Sequence, residues 1–323
     1  MTGTWAMLVV AACAVVPPQS NARILVRLWQ NPGPIAARNL RWGPGAAERA
    51  PKPPFAFVEH SGGGTQPKLQ VTDAAGVTWD VKFGEEVHAE IAASRLVWAL
   101  GYYVDELYYV GEGVISGLDD PGRATDHVDA SGRFRHARFE RRQEHHHAVD
   151  EGWSFGANPF VGTRELSGLK ILMTLIGNWD IEGERNNRLV EVRESGKEAY
   201  RQYFVGDLGG SFGHMGTRLT KKSKWRLQDY QQDGFIDEVD DDLLELDFDG
   251  MEPDIEAVPI DHARWLSRLL DQLTPAQVRQ AFEAAGATPE EVDGFSQVVL
   301  TRIATLRDAL AGAASATAPA PAP

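Results

Sequence analysis

LMTLIGNWDIEGERNNRLVEVRESGKEAYRQYFVGDLGGSFG, residues 172–213, is the stretch whose reading decides the fold. An apolar run ends in Asn178-Trp179-Asp180, and a polar loop leads to Asn186-Asn187 and a short apolar segment. After a charged turn comes Tyr203-Phe204-Val205, closed by Asp207-Leu208-Gly209. The order is helix, loop carrying Asp and Asn, β-hairpin, and Asp at a glycine-rich turn. Just upstream, Leu166, Leu169, Leu172, Met173 and Ile176 recur at helical spacing behind Thr163, a good N-cap. That spacing predicts a buried helix holding up the polar loop.

Further toward the N-terminus the period changes. Phe55-Ala56-Phe57-Val58 predicts a strand, followed by Ser61-Gly62-Gly63-Gly64-Thr65-Gln66-Pro67-Lys68. Residues 69–72 predict a second strand and Asp73-Ala74-Ala75-Gly76 a hairpin turn. Val77, Trp79, Val81 and Phe83 alternate on a third strand, which turns Thr78, Asp80 and Lys82 to its other face. Glycines in such a turn let backbone N–H groups approach phosphates closely. Residues 86–100 predict a helix stopped by Gly101; it carries Glu90, with Glu86 one turn earlier, as candidate partners for Lys82. Residues 102–110 and 134–141 predict two more strands. His145-His146-His147 reads as a surface loop, since three adjacent imidazoles cannot all face one ion.

The flanks are simpler. Residues 1–22 hold an apolar run of signal-peptide length with an acceptable cleavage site at Ser20-Asn21-Ala22. Val10-Ala11-Ala12-Cys13 is similar to a lipobox, so the expectation is export, as a secreted, periplasmic or lipid-anchored protein, with a cytoplasmic location as the alternative. Residues 23–54 read as an irregular surface arm, and the acidic residues 237–242 as a solvated loop. Helices are expected over 261–273, 274–285 and 288–310, and a disordered tail over 313–323. With 32 Lys and Arg against 46 Asp and Glu, the net charge of −14 argues against nucleic acid as partner. The single Cys13 excludes an intrachain disulfide and a cysteine metal site. No transmembrane span is expected in the mature chain.

Four segments carry a resemblance: GTQPKL (64–69), VKF (81–83), GNWDIEGERNN (177–187) and FVGDLGG (204–210). In this order, across residues 55–215, the chain resembles the atypical branch of the protein-kinase superfold, in the style of bacterial HipA-type kinases, with likenesses to phosphoinositide kinases and CotH kinases. The resemblance implies an α+β, two-lobed fold: a small antiparallel β lobe with one helix over 55–141, and a mostly helical large lobe over 142–312. It implies ATP and Mg2+ as cofactors. Asp180 would be the catalytic carboxylate. Gly63, Gly64, Gln66, Lys68, Lys82 and Glu90 would bind the nucleotide. Asp207 would bind metal together with Asn187, favoured because Arg188-Leu189-Val190 after it matches the short strand that follows the metal-binding Asn in the family, or with Asn186 as the alternative. The sequence departs from the pattern in three places. The gap from Asp180 to the first Asn, Asn186, is six residues where the family pattern has five, Asp80 stands where a small or apolar residue faces adenine, and Asp180 is accompanied by Ile181, Glu182 and Glu184 in place of the usual basic residue, with Arg185 only later in the loop. The implied activity is phosphoryl transfer to a hydroxyl on an unidentified acceptor. The alternatives are a nucleotide-binding pseudokinase and adenylyl transfer on the same fold.

Overall fold

In the computed structural model, Trp79, Val81 and Phe83 are buried, as the period-two alternation requires. The structure describes residues 24–62, 65–141, 145–181, 183–216, 221–240, 242–248, 255 and 257–316, with side chains described except at 150, 184, 185 and 313–316. Gly63, Gly64, Glu182, residues 1–23 with Cys13, and residues 317–323 lie outside the described residues, and with them the expected signal segment and most of the expected disordered tail.

Mixed α and β elements alternate along the chain. They begin with β1 (Leu25–Arg27), β2 (Phe55–His60), β3 (Lys68–Thr72), β4 (Thr78–Lys82), α1 (Glu86–Ala99), β5 (Leu107–Ser116) and β6 (Arg133–Arg141). Strands β2, β3, β4, β6 and β5 form a closed barrel in that order. All its pairings are antiparallel except the seam, where Phe55 pairs with Ile115 and Ala56 with Ser116 in parallel. Closure removes the open edges that an isolated small sheet would expose. Phe55, Leu69, Val71, Trp79, Phe134 and Phe139 fill the interior. The strand expected over 102–110 begins later, at Leu107. Tyr102 and Tyr103 instead bridge to Trp29 and Phe204, and the Tyr102 hydroxyl donates to the Glu165 carbonyl at 2.7 Å.

The second half contains β7 (His146–Gly152), α2 (Arg164–Leu175), α3 (Gly183–Asn186), β8 (Arg188–Val192) and β9 (Tyr200–Phe204). After these come α4 (Leu227–Gln232), β10 (Ile236–Asp240), β11 (Leu243–Leu246), β12 (Ala257–Pro259), α5 (Ile260–Leu270), α6 (Pro275–Ala284) and α7 (Pro289–Ala316). One sheet has the order β1-β9-β8-β7. It corrects two expectations. Two of the three histidines lie in a strand rather than a loop, His146 opposite Val192 and His147 opposite Glu191. The N-terminal arm is not confined to the surface: β1 pairs in parallel with β9, and Leu28, Ile35 and Leu40 are buried in the main core. The acidic stretch also departs from a loop, forming the β10–β11 hairpin. Leu244 and Leu246 alternate inward there and supply the apolar face that the carboxylates conceal in the sequence.

The helices follow their local signals. Thr163 Oγ1 accepts from the Leu166 N–H at 3.3 Å and starts α2. Thr274 and Gln277 form a reciprocal capping box at α6. Helix α1 is buried on almost every side because it lies between the barrel, α6 and the turn at 208–210. No helix among the described residues is long and apolar enough to cross a membrane.

Candidate functional site

Lys82 ends β4 on the face opposite the barrel core, yet it is only 5% exposed because α1 covers it. Gly84, at φ +103°, reverses the chain from β4 into α1. Glu86 and Glu90 then share one face of α1, four residues apart, directly over Lys82. Lys82 Nζ lies 2.9 Å from Glu90 Oε2, the partner the sequence favours, and 2.6 Å from Glu86 Oε2, the competing candidate, so both carboxylates engage it. Arg138, opposite Lys82 in the β4–β6 register, donates to Glu90 and lies 2.9 Å from Glu140. Glu86 also takes Lys224 Nζ at 2.8 Å and the Gln66 amide at 3.2 Å. Burial alone would push Glu90 up, but Arg138 and Lys82 outweigh it and hold the carboxyl down at about 2. Burial likewise opposes the Lys82 charge, and Glu90, Glu86 and Asp207 overcome it, so its pKa rises.

Asp207 arrives from the other direction. It sits at φ +44°, in the left-handed region, between β9 and the turn Leu208–Gly210. That turn packs against α1 so closely that a Cβ on Gly209 would stand 2.7 Å from Glu86 Cβ. This approach puts Asp207 Oδ1 4.0 Å from Lys82 Nζ. Burial raises the Asp207 carboxyl to about 6; Lys82 pulls it down, while Glu90, Glu86 and Asp180 push it further up. The neighbouring Gly210 is equally constrained, since a Cβ there would lie 2.8 Å from Asp180 Cβ.

Asp180 follows α2 through Gly177 (φ +61°) and the buried Asn178, whose Oδ1 accepts from the Asp180 N–H at 3.2 Å. Burial, then the Glu86 charge, raises the Asp180 carboxyl, against the Asn186 hydrogen bond and the charges of Lys222 and Lys224. The two asparagines behave differently. Asn186 Nδ2 donates to the Asp180 carbonyl at 2.8 Å and to its Oδ1 at 3.4 Å. Asn187 is 1% exposed, its Oδ1 accepts from the Gly206 N–H at 3.4 Å, and its Nδ2 is buried with no partner.

The fold thus gathers Gln66, Lys82, Glu86, Glu90, Asp180, Asn186 and Asp207 around one cluster, with Asn187 turned into the protein beside it. Lys68 stands opposite Lys82 in the β3–β4 register and adds positive charge near Glu90. Arg138, Lys224 and Asn178 were not singled out in the sequence. The alternation of 134–141 could have flagged Arg138, but nothing local links Lys224 to Glu86, 138 residues away. Among the described residues no three His, Cys, Asp or Glu converge on a common ion position. Two residues along β4 from Lys82, Asp80 lines a cavity of about 440 Å³ with Asp105, Glu140, Arg188 and His146. Arg188 pairs there with Asp105, whose carboxyl burial raises to about 6.

No protein-family model and no curated protein matches the sequence. Among solved structures, the chain is similar to the Helicobacter pylori proinflammatory kinase CtkA, at 11% identity and TM-score 0.46, with 80% of this chain and 93% of that chain covered. It is also similar to the Golgi casein kinase, at 12% identity and TM-score 0.40, covering 81% of this chain and 74% of that one. The same kinase with Mn/ADP bound gives 11% identity, a TM-score of 0.40, and coverage of 83% and 74%.

Proposed function

We propose that this chain is a kinase-like phosphotransferase that binds ATP with Mg2+ between the β-barrel and the helical part, in a two-lobed arrangement. The observation that carries the reading is the convergence of Lys82, held by Glu86 and Glu90, with Asp207 and Asp180 from separate elements. In this reading Lys82 holds phosphate oxygens, and the two glutamates fix its position. Gln66, and with it Gly63, Gly64 and Lys68, belongs to the phosphate-binding turn. Asp180 orients the acceptor hydroxyl and takes its proton as the oxygen bonds to the γ-phosphorus; the bond from that phosphorus to the bridging oxygen breaks and ADP leaves.

The residues present fit a metal ion. Asp207 is a carboxylate whose ionisation is opposed by burial and by three neighbouring carboxylates, a charge excess that a cation relieves. With no three-ligand protein set among the described residues, an ion here would need further ligands from outside the protein, as Mg2+ commonly does. Asp207 and Asn186 would hold it, with Asn187 as the alternative amide; when bound, it neutralises charge on the phosphates. Asn186 is preferred because its Nδ2 is tied to Asp180, which aligns the amide with the catalytic loop.

The test is Mg2+-dependent stabilisation by ATP in a thermal shift assay. Wild type should be stabilised and Asp207→Ala should not; equal stabilisation of both removes the reading. Phosphate transfer that persists in Asp180→Ala would remove the role given to Asp180. A second reading, nucleotide binding without transfer, is favoured by the loop after Asp180, which carries Ile181 and Glu182 and no cation before Arg185 to neutralise the transferring phosphate. Mg2+–ATP binding with no transfer to any acceptor, including the chain itself, would select it. Export and removal of residues 1–22 belong to the same proposal, and N-terminal sequencing of the mature protein tests them.

A further inference from the structure

A larger cavity, of about 790 Å³, is lined by Gly84 and Glu85 at the start of α1 and by Lys224, the partner of Glu86. Its cations are Arg135, Lys222, Lys224 and Arg226, and the imidazoles of His88, His127 and His136 also line it. Glu85 is the one carboxylate among its lining residues. A chain with a net charge of −14 therefore concentrates positive charge in one concave place. Low-dielectric walls focus such a field on a bound anion. Two of the cations are already engaged, Lys224 by Glu86 at 2.8 Å and Arg226 by Asp229 at 3.8 Å. Arg135 and Lys222 are exposed and make no ion pair among the described residues; Lys222 Nζ rests 4.8 Å from the Trp179 ring centroid.

The cavity adjoins the candidate reaction centre. Trp179 lines it and is the residue before Asp180. The charges of Lys222 and Lys224 act on the Asp180 carboxyl. Trp179 and Trp225 supply flat apolar walls, held by hydrogen bonds from their indole N–H groups to the Ser223 carbonyl at 2.8 Å and to Glu291 Oε1 at 3.0 Å. The volume suits a small molecule or a short segment of chain rather than a lone ion.

We infer that this cavity is the acceptor site and that the acceptor carries a phosphate group, seated by Arg135 and Lys222, with its hydroxyl presented toward Asp180. The inference rests on the phosphotransferase reading for the meaning of "acceptor", but the anion site itself does not. A guanidinium fork and an ammonium match a phosphate's several oxygens through charge-assisted hydrogen bonds. The nucleotide phosphates belong instead with Lys82 and Asp207, neither of which lines this cavity.

The experiment titrates inorganic phosphate, without nucleotide or Mg2+, against the full chain by thermal shift, with hexaglutamate as the parallel carboxylate probe. Wild type should be stabilised by phosphate. Arg135→Ala/Lys222→Ala should need at least about tenfold more, the loss expected for two charge-assisted bonds. Arg135→Lys/Lys222→Arg should retain binding, which separates lost charge from lost folding. Asp207→Ala should bind phosphate normally, so failure of nucleotide binding and failure of this site are read separately. Equal half-saturation in wild type and the double alanine variant overturns the inference. So does stabilisation by hexaglutamate with none by phosphate.

Discussion

Replacing Lys82 by Met tests the cluster most directly. Met keeps most of the apolar stem, so packing changes little. The ammonium it removes lies 2.6 Å from Glu86, 2.9 Å from Glu90 and 4.0 Å from Asp207. Glu90 retains Arg138 and Glu86 retains Lys224, but Asp207 keeps no ion-pair partner among the described residues. Removing one partner of a buried ion pair costs about 3–5 kcal/mol. The residual cations and the partial exposure of Asp207 place the expected loss at the lower end, about 3 kcal/mol at pH 7. The sign of its pH dependence follows from Glu90, which the cluster holds at about 2. A depressed carboxylate contributes stability above its unfolded pKa and loses it as pH falls through the folded value. In Lys82→Met the carboxylates titrate higher, so the folded variant gains protons first, and its deficit should shrink from pH 7 to pH 5. Urea unfolding followed by tryptophan fluorescence measures both effects; with a slope of about 3 kcal/mol/M, the pH 7 midpoint should fall by about 1 M. Lys82→Met/Glu86→Gln should recover part of the loss, through a coupling of about 1–2 kcal/mol. A midpoint unchanged at pH 7, or a deficit that grows toward pH 5, would refute this account.

Other perturbations read other parts of the site. The Asp207 carboxyl, at about 6, keeps a proton in the ligand-free fold that the unfolded chain has released by about pH 4, so its ionisation weakens the fold as pH rises between those values. Asp207→Asn should therefore be about 1 kcal/mol more stable than wild type at pH 7, after solvent screening, and no more stable at pH 4; a less stable variant at pH 7 contradicts the charge crowding. Gly209→Ala places a Cβ 2.7 Å from Glu86 Cβ and should cost about 1–3 kcal/mol, seen as a lowered Tm together with weakened nucleotide stabilisation. An unchanged Tm would mean that the turn does not hold α1. Asn186→Ala should weaken Mg2+–ATP binding by about tenfold or more in calorimetry, the scale of a lost metal-site contact, whereas Asn187→Ala should chiefly lower stability. The reverse pattern would assign the metal amide to Asn187.

Much of the architecture was legible because its causes are local. Period two over residues 77–83 marked β4, helical spacing marked α2, and Thr163 and Thr274 marked helix starts, since alternation and capping depend on neighbours in sequence. The resemblance across residues 55–215 then singled out Lys82, Glu90, Asp180 and Asp207 as candidate site residues on those elements. Local reasoning misread the histidine run and the arm at 23–54, because pairing of β7 and β1 onto the β8–β9 hairpin is decided by partners far along the chain. Periodicity could not separate Glu86 from Glu90 or Asn186 from Asn187. That choice depends on which side chain faces Lys82 or Asp180 once α1, the turn at 208–210 and the loop after α2 have packed together. The sequence by itself determined most of the elements around the cluster and which charged side chains each one carries. Only the tertiary structure decided the Arg138–Glu90–Lys82–Glu86–Lys224 chain of charges and the cationic cavity beyond it, because opposite charges taken out of water must find one another across whatever elements the fold brings together.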